Sequence, residues 1–189
     1  LAERGFEGNV ETLISWALHN GLESIDEDRA HLASTMLAWF FSTSHRIIRD
    51  KATNGLACIL SQRLSLAAKL IKEFAKVDDP YVAERLLAAC YGAALQGSDS
   101  GLSELAQSVY DLIFAEGRPP AVGLVRDHAH GIIEHAEWRG GLPSSVDVRL
   151  TKPPYTSSWP IEPVPDELIE SYVVVGKNGT YRDDIVGST

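Results

Sequence analysis

A chain of 189 residues, 44% hydrophobic and 23% charged, is long enough for one domain with a sizeable core, or for four or five helical hairpins and an appendage. Its 17 basic against 26 acidic residues give a net charge of −9 with no basic stripe, which argues against non-specific binding of nucleic acid or of an anionic membrane. The longest basic-leaning stretch, Arg46 to Lys51, contains Asp50 and is a solvated helix face.

The first predicted helix spaces Val10, Leu13, Ile14, Ala17 and Leu18 on one side and stops at Asn20-Gly21. Ser24 with Glu27 forms a capping box for a second, from about Ile25 to Phe41, whose apolar face is Ile25, Leu32, Met36, Leu37 and Phe40. Ser42, Thr43 and Ser44 make the turn and offer a side-chain cap to a third helix, about 45 to 60, burying Ile48, Ala52, Leu56 and Ile59. A fourth carries Leu64, Ala67, Ile71 and Phe74. Asp79 as N-cap and Pro80 at the first position open a fifth, about 80 to 96, apolar on nearly every side and therefore buried. The loop from Gly97 to Gly101 precedes a sixth, with Leu102, Leu105, Ala106, Val109, Leu112 and Ile113. The seventh, about 121 to 138, buries Val122, Val125, Ala129, Ile132, Ile133 and Ala136.

Composition changes after Gly141. Six of the nine prolines fall between Pro143 and Pro165, so no helix of useful length persists there. Tyr155, Trp159 and Ile161 are apolar anchors in that stretch, which predicts an extended arm lying on the helices. A short helix around Asp166 to Ser171 and a hairpin about the Lys177-Asn178-Gly179 turn, flanked by Tyr172 to Val175 and Thr180 to Ile185, complete the chain. The expected division is 1–141, helical, and 142–189, arm.

Arg49, Asp50 and Ala52 recur as Arg126, Asp127 and Ala129. A degenerate copy, DDPYVAERLLAACYGAAL, lies between. Registered on Ile48, Val82 and Val125, the copies are 34 and 43 residues apart, in the range of helical repeats that bury their cores by stacking. These residues resemble the HEAT-repeat family of α-solenoids, in which the second helix of a hairpin begins near an Asp and carries a Val/Ile-Arg pair followed by small apolar residues. Ile48-Arg49, Val125-Arg126 and Asp79-Pro80-x-Val82 match over roughly residues 24 to 138. The middle copy departs: Ala83 follows Val82, and the arginine needed by the family's Asp-to-Arg ladder comes only at Arg85. The resemblance implies an all-α stack of helical hairpins that binds rather than catalyses. The run WFFSTSHRIIRDKATNGL with DDPYVAERLLAACYG also looks like the helical regions of large bacterial multidomain ATPases, including STAND-type NTPases of anti-phage defence, where such a region senses a ligand. This chain has no GxxxxGK[ST] phosphate loop.

The strongest enzymatic constellation is RDHAHGIIEHAE, with Asp127, His128, His130, Glu134 and His135 on one helix. His130 and Glu134 have the i, i+4 spacing of metal ligands, and His31 or His45 are conceivable further donors. An exposed pair with two imidazoles at the edge of the core is the simpler reading, and no metal or cofactor is expected. No serine sits in a G-x-S-x-G elbow, neither cysteine has an adjacent histidine, and the Asp78-Asp79 and Asp183-Asp184 pairs point apart on turns. Of Trp39, Phe40 and Phe41, at least one must meet a neighbouring element or solvent. Pro153-Pro154-Tyr155 lacks the Pro-Pro-x-Tyr spacing that groove-binding modules read.

Cys58 and Cys90 fall in apolar helical runs and suit a reducing compartment. No window reaches the ~18 apolar residues that span a bilayer, and LAERGFEGN is no signal sequence. Leu1 at the start and Met36 as the only methionine suggest a portion of a longer protein. The expectation is a non-enzymatic, cytoplasmic scaffold or recognition segment whose partner is a protein or the rest of the parent chain. Its candidate interaction residues are Trp39, Phe41, Arg49, Arg126, Tyr155 and Trp159. The alternative is a metal-dependent hydrolase centred on the His128–His135 helix.

Overall fold

A computed structural model of the chain describes residues 8–19, 25–156, 164–171, 174–176 and 179–181. The chain divides into two compact units, Leu1–Ser157 and Ser158–Thr189. Seven helices build the described part of the first: α1 (Asn9–His19), α2 (Glu27–Trp39), α3 (Arg46–Leu60), α4 (Leu64–Phe74), α5 (Pro80–Gln96), α6 (Leu102–Ile113) and α7 (Gly123–Trp138). The odd-numbered helices pack in succession, α1 on α3, α3 on α5 and α5 on α7, and the even-numbered ones likewise, α2 on α4 and α4 on α6. Each even helix also leans on the odd helix that follows it, so one continuous apolar core lies between the two rows.

Local chemistry accounts for most of these elements. Asp79 caps α5 by accepting from the Tyr81 and Val82 amides, with Pro80 in the first turn where its missing donor costs nothing. On α4 the expected face is the buried one, Leu64, Ala67, Ile71 and Phe74 all being inside. Each fully buried leucine there contributes about 1.5–3 kcal/mol. α6 begins at Gly101, whose φ of 82° a side chain would strain.

α2 differs from its expectation in cap and in face. Its N-cap is Asp26, which accepts the Arg29 amide at 2.8 Å, while Ser24 lies outside the described residues; Glu27 instead pairs with Arg63. Leu32 and Met36, expected inside, are 65% and 53% exposed. The buried stripe is Ala30, Ala33, Ser34, Leu37 and Ala38, continued by Phe41 in a short 3₁₀ turn. Small side chains let α2 approach its neighbours closely, and that packing outweighs the greater hydrophobicity of the Leu32 side. α3 likewise has no side-chain cap on its N-terminal amides; the Thr43 hydroxyl accepts from the His45 amide one step before the helix.

Residues 142–156 follow the helices closely. Leu142, Val146, Leu150 and Tyr155 pack against the core, and Ser145 donates to Gln107 of α6. A 3₁₀ turn (Val148–Thr151) opens on Asp147, and the Pro153–Pro154 peptide is cis. The compact unit therefore runs sixteen residues past the 141 boundary read from composition, because the first apolar anchors of the arm are seated on α6 and α7.

In the second unit the described elements are α8 (Asp166–Glu170) and an antiparallel pair, β1 (Val174–Gly176) with β2 (Gly179–Tyr181), Val175 opposite Thr180. Trp159 and Ile161 lie outside the described residues.

Candidate functional site

The three sequence copies meet on the odd-numbered row. Arg85 of α5 donates to Asp50 of α3 at 2.7 Å, and Lys51 of α3 lies 3.5 Å from Glu11 of α1. Glu84 of α5 acts in turn on His128 of α7. Lys51, Arg85 and His128 are separated by the same 34 and 43 residues as the registered copies; the first two pair with an acid on the preceding odd helix, while His128 feels Glu84 only as a nearby charge. The guanidinium that reaches Asp50 is thus that of Arg85, two residues after Ala83.

Arg49 and Arg126, at equivalent places in their copies, also behave alike. The Arg49 guanidinium lies 5.9 Å from the centre of the Tyr81 ring on α5, and that of Arg126 lies 5.1 Å from the Tyr155 ring. Arg49 further donates to the Thr43 carbonyl at 2.6 Å. Tyr155 therefore takes, beyond α7, the place that Tyr81 takes beyond α3. Its ring stacks 6.3 Å from that of Phe114, and its hydroxyl donates to the Thr151 carbonyl at 2.7 Å. Desolvation is the main reason its phenol is held above the ordinary range.

The other interaction candidates divide. Trp39 is half exposed, its ring tilted against Phe74 at 5.1 Å, whereas Phe41 is 1% exposed and is a core residue rather than part of any surface. Sequence reasoning passed over a row that the shared register exposes. Ile47, Tyr81 and Leu124, each one residue before the registering position of α3, α5 and α7, are 59%, 63% and 50% exposed. Superposing the three copies shows an apolar residue at this place in all of them, which is the signal that could have found the row. An apolar cleft of about 200 Å³ also opens between α4, α5, α6 and α7, lined by Phe74, Leu86, Leu112 and Val125 among others.

The histidine helix does not gather its donors. His128 faces the Tyr91 ring at 6.4 Å, His135 faces Trp138 at 5.8 Å, and His31 is engaged with Glu73 and Lys69 of α4. Among the described residues no three His, Cys, Asp or Glu side chains form a group that could hold a metal ion. Both cysteines are free, and burial pushes the Cys90 thiol up to about 12, where it is unreactive. No described helix is long and apolar enough to cross a membrane.

Burial holds the His128 imidazole below its ordinary value of 6.5; Glu84 and Asp127 pull it up, and Arg85 pushes it down. The unfolded chain therefore takes up a proton more readily than the folded one, and this part of the stability is complete above about pH 6.5 and lost as the pH falls below it. Urea unfolding at pH 7.5 and pH 5 should show a larger loss in the native chain than in His128→Gln. Equal losses in the two would place the acid sensitivity elsewhere.

No family model, curated protein or solved structure matches the chain.

Proposed function

We propose that this chain is a HEAT-like α-solenoid segment that presents its odd-numbered helices to a protein partner. The single observation that carries the reading is the row Ile47, Tyr81, Leu124, exposed at one place of the register on three successive odd helices. Scattered exposed apolar residues are ordinary on any surface, but their recurrence at the repeat spacing makes a stripe a partner can cover. The basic-to-acidic contacts along the same row support a stack of like units. The setting we infer is a larger cytoplasmic multidomain protein, such as a STAND-type NTPase of anti-phage defence with this segment in its sensor region, and the fragment itself acts without chemistry.

A photo-cross-linking residue at Tyr81, compared with one at exposed Leu112 of α6, tests the reading in the intact parent protein. The expected result is a discrete protein or domain captured from position 81 and not from 112. Capture from neither position, or metal-dependent hydrolysis lost on His130→Ala, would overturn it. The stacking is tested by a double-mutant cycle on Asp50→Ala and Arg85→Ala, read by urea unfolding. For a partly exposed pair at 2.7 Å the expected coupling is about 0.5–1 kcal/mol; strict additivity would mean that the contact carries no energy.

A further inference from the structure

The C-terminal ends of α5 and α7 enclose a hollow apart from the apolar row, of about 280 Å³, lined by Tyr91, Leu95, Gly131, Glu134, His135 and Trp138. Gly131 makes it possible: a Cβ there would lie 2.7 Å from Cζ of Tyr91, so only a bare backbone lets that ring lie on α7. Residues 131, 134, 135 and 138 share one face of α7 by helical spacing, opposite Tyr91 and Leu95, one turn apart on α5. Trp138 is 77% exposed, the most exposed large apolar side chain among the described residues. Glu134 is the one carboxylate of the lining, and no lysine or arginine is part of it. Arg139, 5.8 Å from the indole centre, has its charge tied to Asp99 at 2.6 Å.

We propose that this hollow binds the guanidinium of an arginine in a partner peptide. Aromatic faces attract a cation through their quadrupole, a planar cation most of all because it also stacks, and a carboxylate at the rim accepts its N–H groups in a charge-assisted pair. Three arginines of this chain already lie over aromatic rings, and its net charge of −9 draws a basic segment toward the surface. The inference deepens the recognition reading by naming the chemistry of one contact, and it rests on that reading for the peptide being a natural partner.

The test titrates the full chain with an acetylated, amidated glycine peptide bearing one central arginine, and with its citrulline and lysine counterparts, following the Trp138 indole N–H by NMR. Saturable binding of the arginine peptide is expected, weakened tenfold or more by citrulline, by Glu134→Gln and by Trp138→Ala. Both side chains are exposed, and circular dichroism verifies that the variants are folded. No saturable shift, equal binding of arginine and citrulline peptides, or indifference to both substitutions would overturn the proposal. Capture of a partner from position 81 with no arginine binding would sink this inference alone; arginine binding without such capture would sink the apolar row alone.

Discussion

Phe114→Ala should cost about 3–5 kcal/mol, the largest loss expected of any single substitution considered for this chain. The ring is 0% exposed and stands where three elements meet: the end of α6, whose last turn is closed by its amide on the Tyr110 carbonyl, the core between the rows, and the arm through Tyr155. Truncation removes the stacking partner of Tyr155 and leaves a void that the arm and α6 can collapse into only by breaking the Tyr155–Thr151 bond and the Arg126 contact. Set against a total of roughly 5–15 kcal/mol for a domain, that is a large fraction, and the melting midpoint should fall by roughly 6–20 °C. Tyr155→Phe is the informative companion. It keeps the ring stack and deletes one neutral hydrogen bond, so its cost should be about 0.5–1.5 kcal/mol. If the two substitutions cost the same, the arm is held by the hydroxyl and the seating of its ring on Phe114 is incidental.

That arm also shows where the sequence was legible. Apolar residues among prolines need an explanation, and Tyr155 was readable as an anchor for that reason; what it would touch was not, because its partners Phe114 and Arg126 lie far back in the chain. α4 and α5 were plain, the first from clean periodicity and the second from Asp79-Pro80. α2 was not, because two stripes of helical spacing compete on it, and hydrophobicity alone favours Leu32-Met36 over Ala30-Ala33-Leu37. Close packing of small residues decides between them, and a single sequence does not display its neighbours. The same limit hid the role of Arg85, which reaches Asp50 only once α3 and α5 are side by side, and the hollow beside Trp138, whose two walls are about forty residues apart in the chain. The spacing of Ile48, Val82 and Val125, by contrast, is visible in the sequence, and Lys51 and Arg85, like Ile47, Tyr81 and Leu124, fall at matching offsets from it.

Gly97→Ala, just past the end of α5, should destabilise by about 3 kcal/mol, while Gly92→Ala, five residues earlier and inside that helix, should stabilise by about 0.5–1 kcal/mol. The backbone at Gly97 is in an extended conformation that alanine adopts freely, with its amide closing α5 on the Ala93 carbonyl, so conformational freedom does not explain the glycine. Space does. A Cβ at 97 would fall on the Ser61 carbonyl oxygen at the end of α3 and 2.9 Å from that of Ala93, and neither backbone atom can step aside without moving a helix terminus. A Cβ at 92 would meet the Ala57 methyl at 3.5 Å, an ordinary contact, and would relieve the entropic cost of glycine inside a helix. Both sites lie between α3 and α5, so the pair separates two reasons for a glycine at one interface. Urea unfolding of the two variants settles it: opposite signs are expected. A neutral Gly97→Ala would mean that the ends of α3 and α5 are looser than their packing implies, and that the odd helices are not closely stacked at that end of the row.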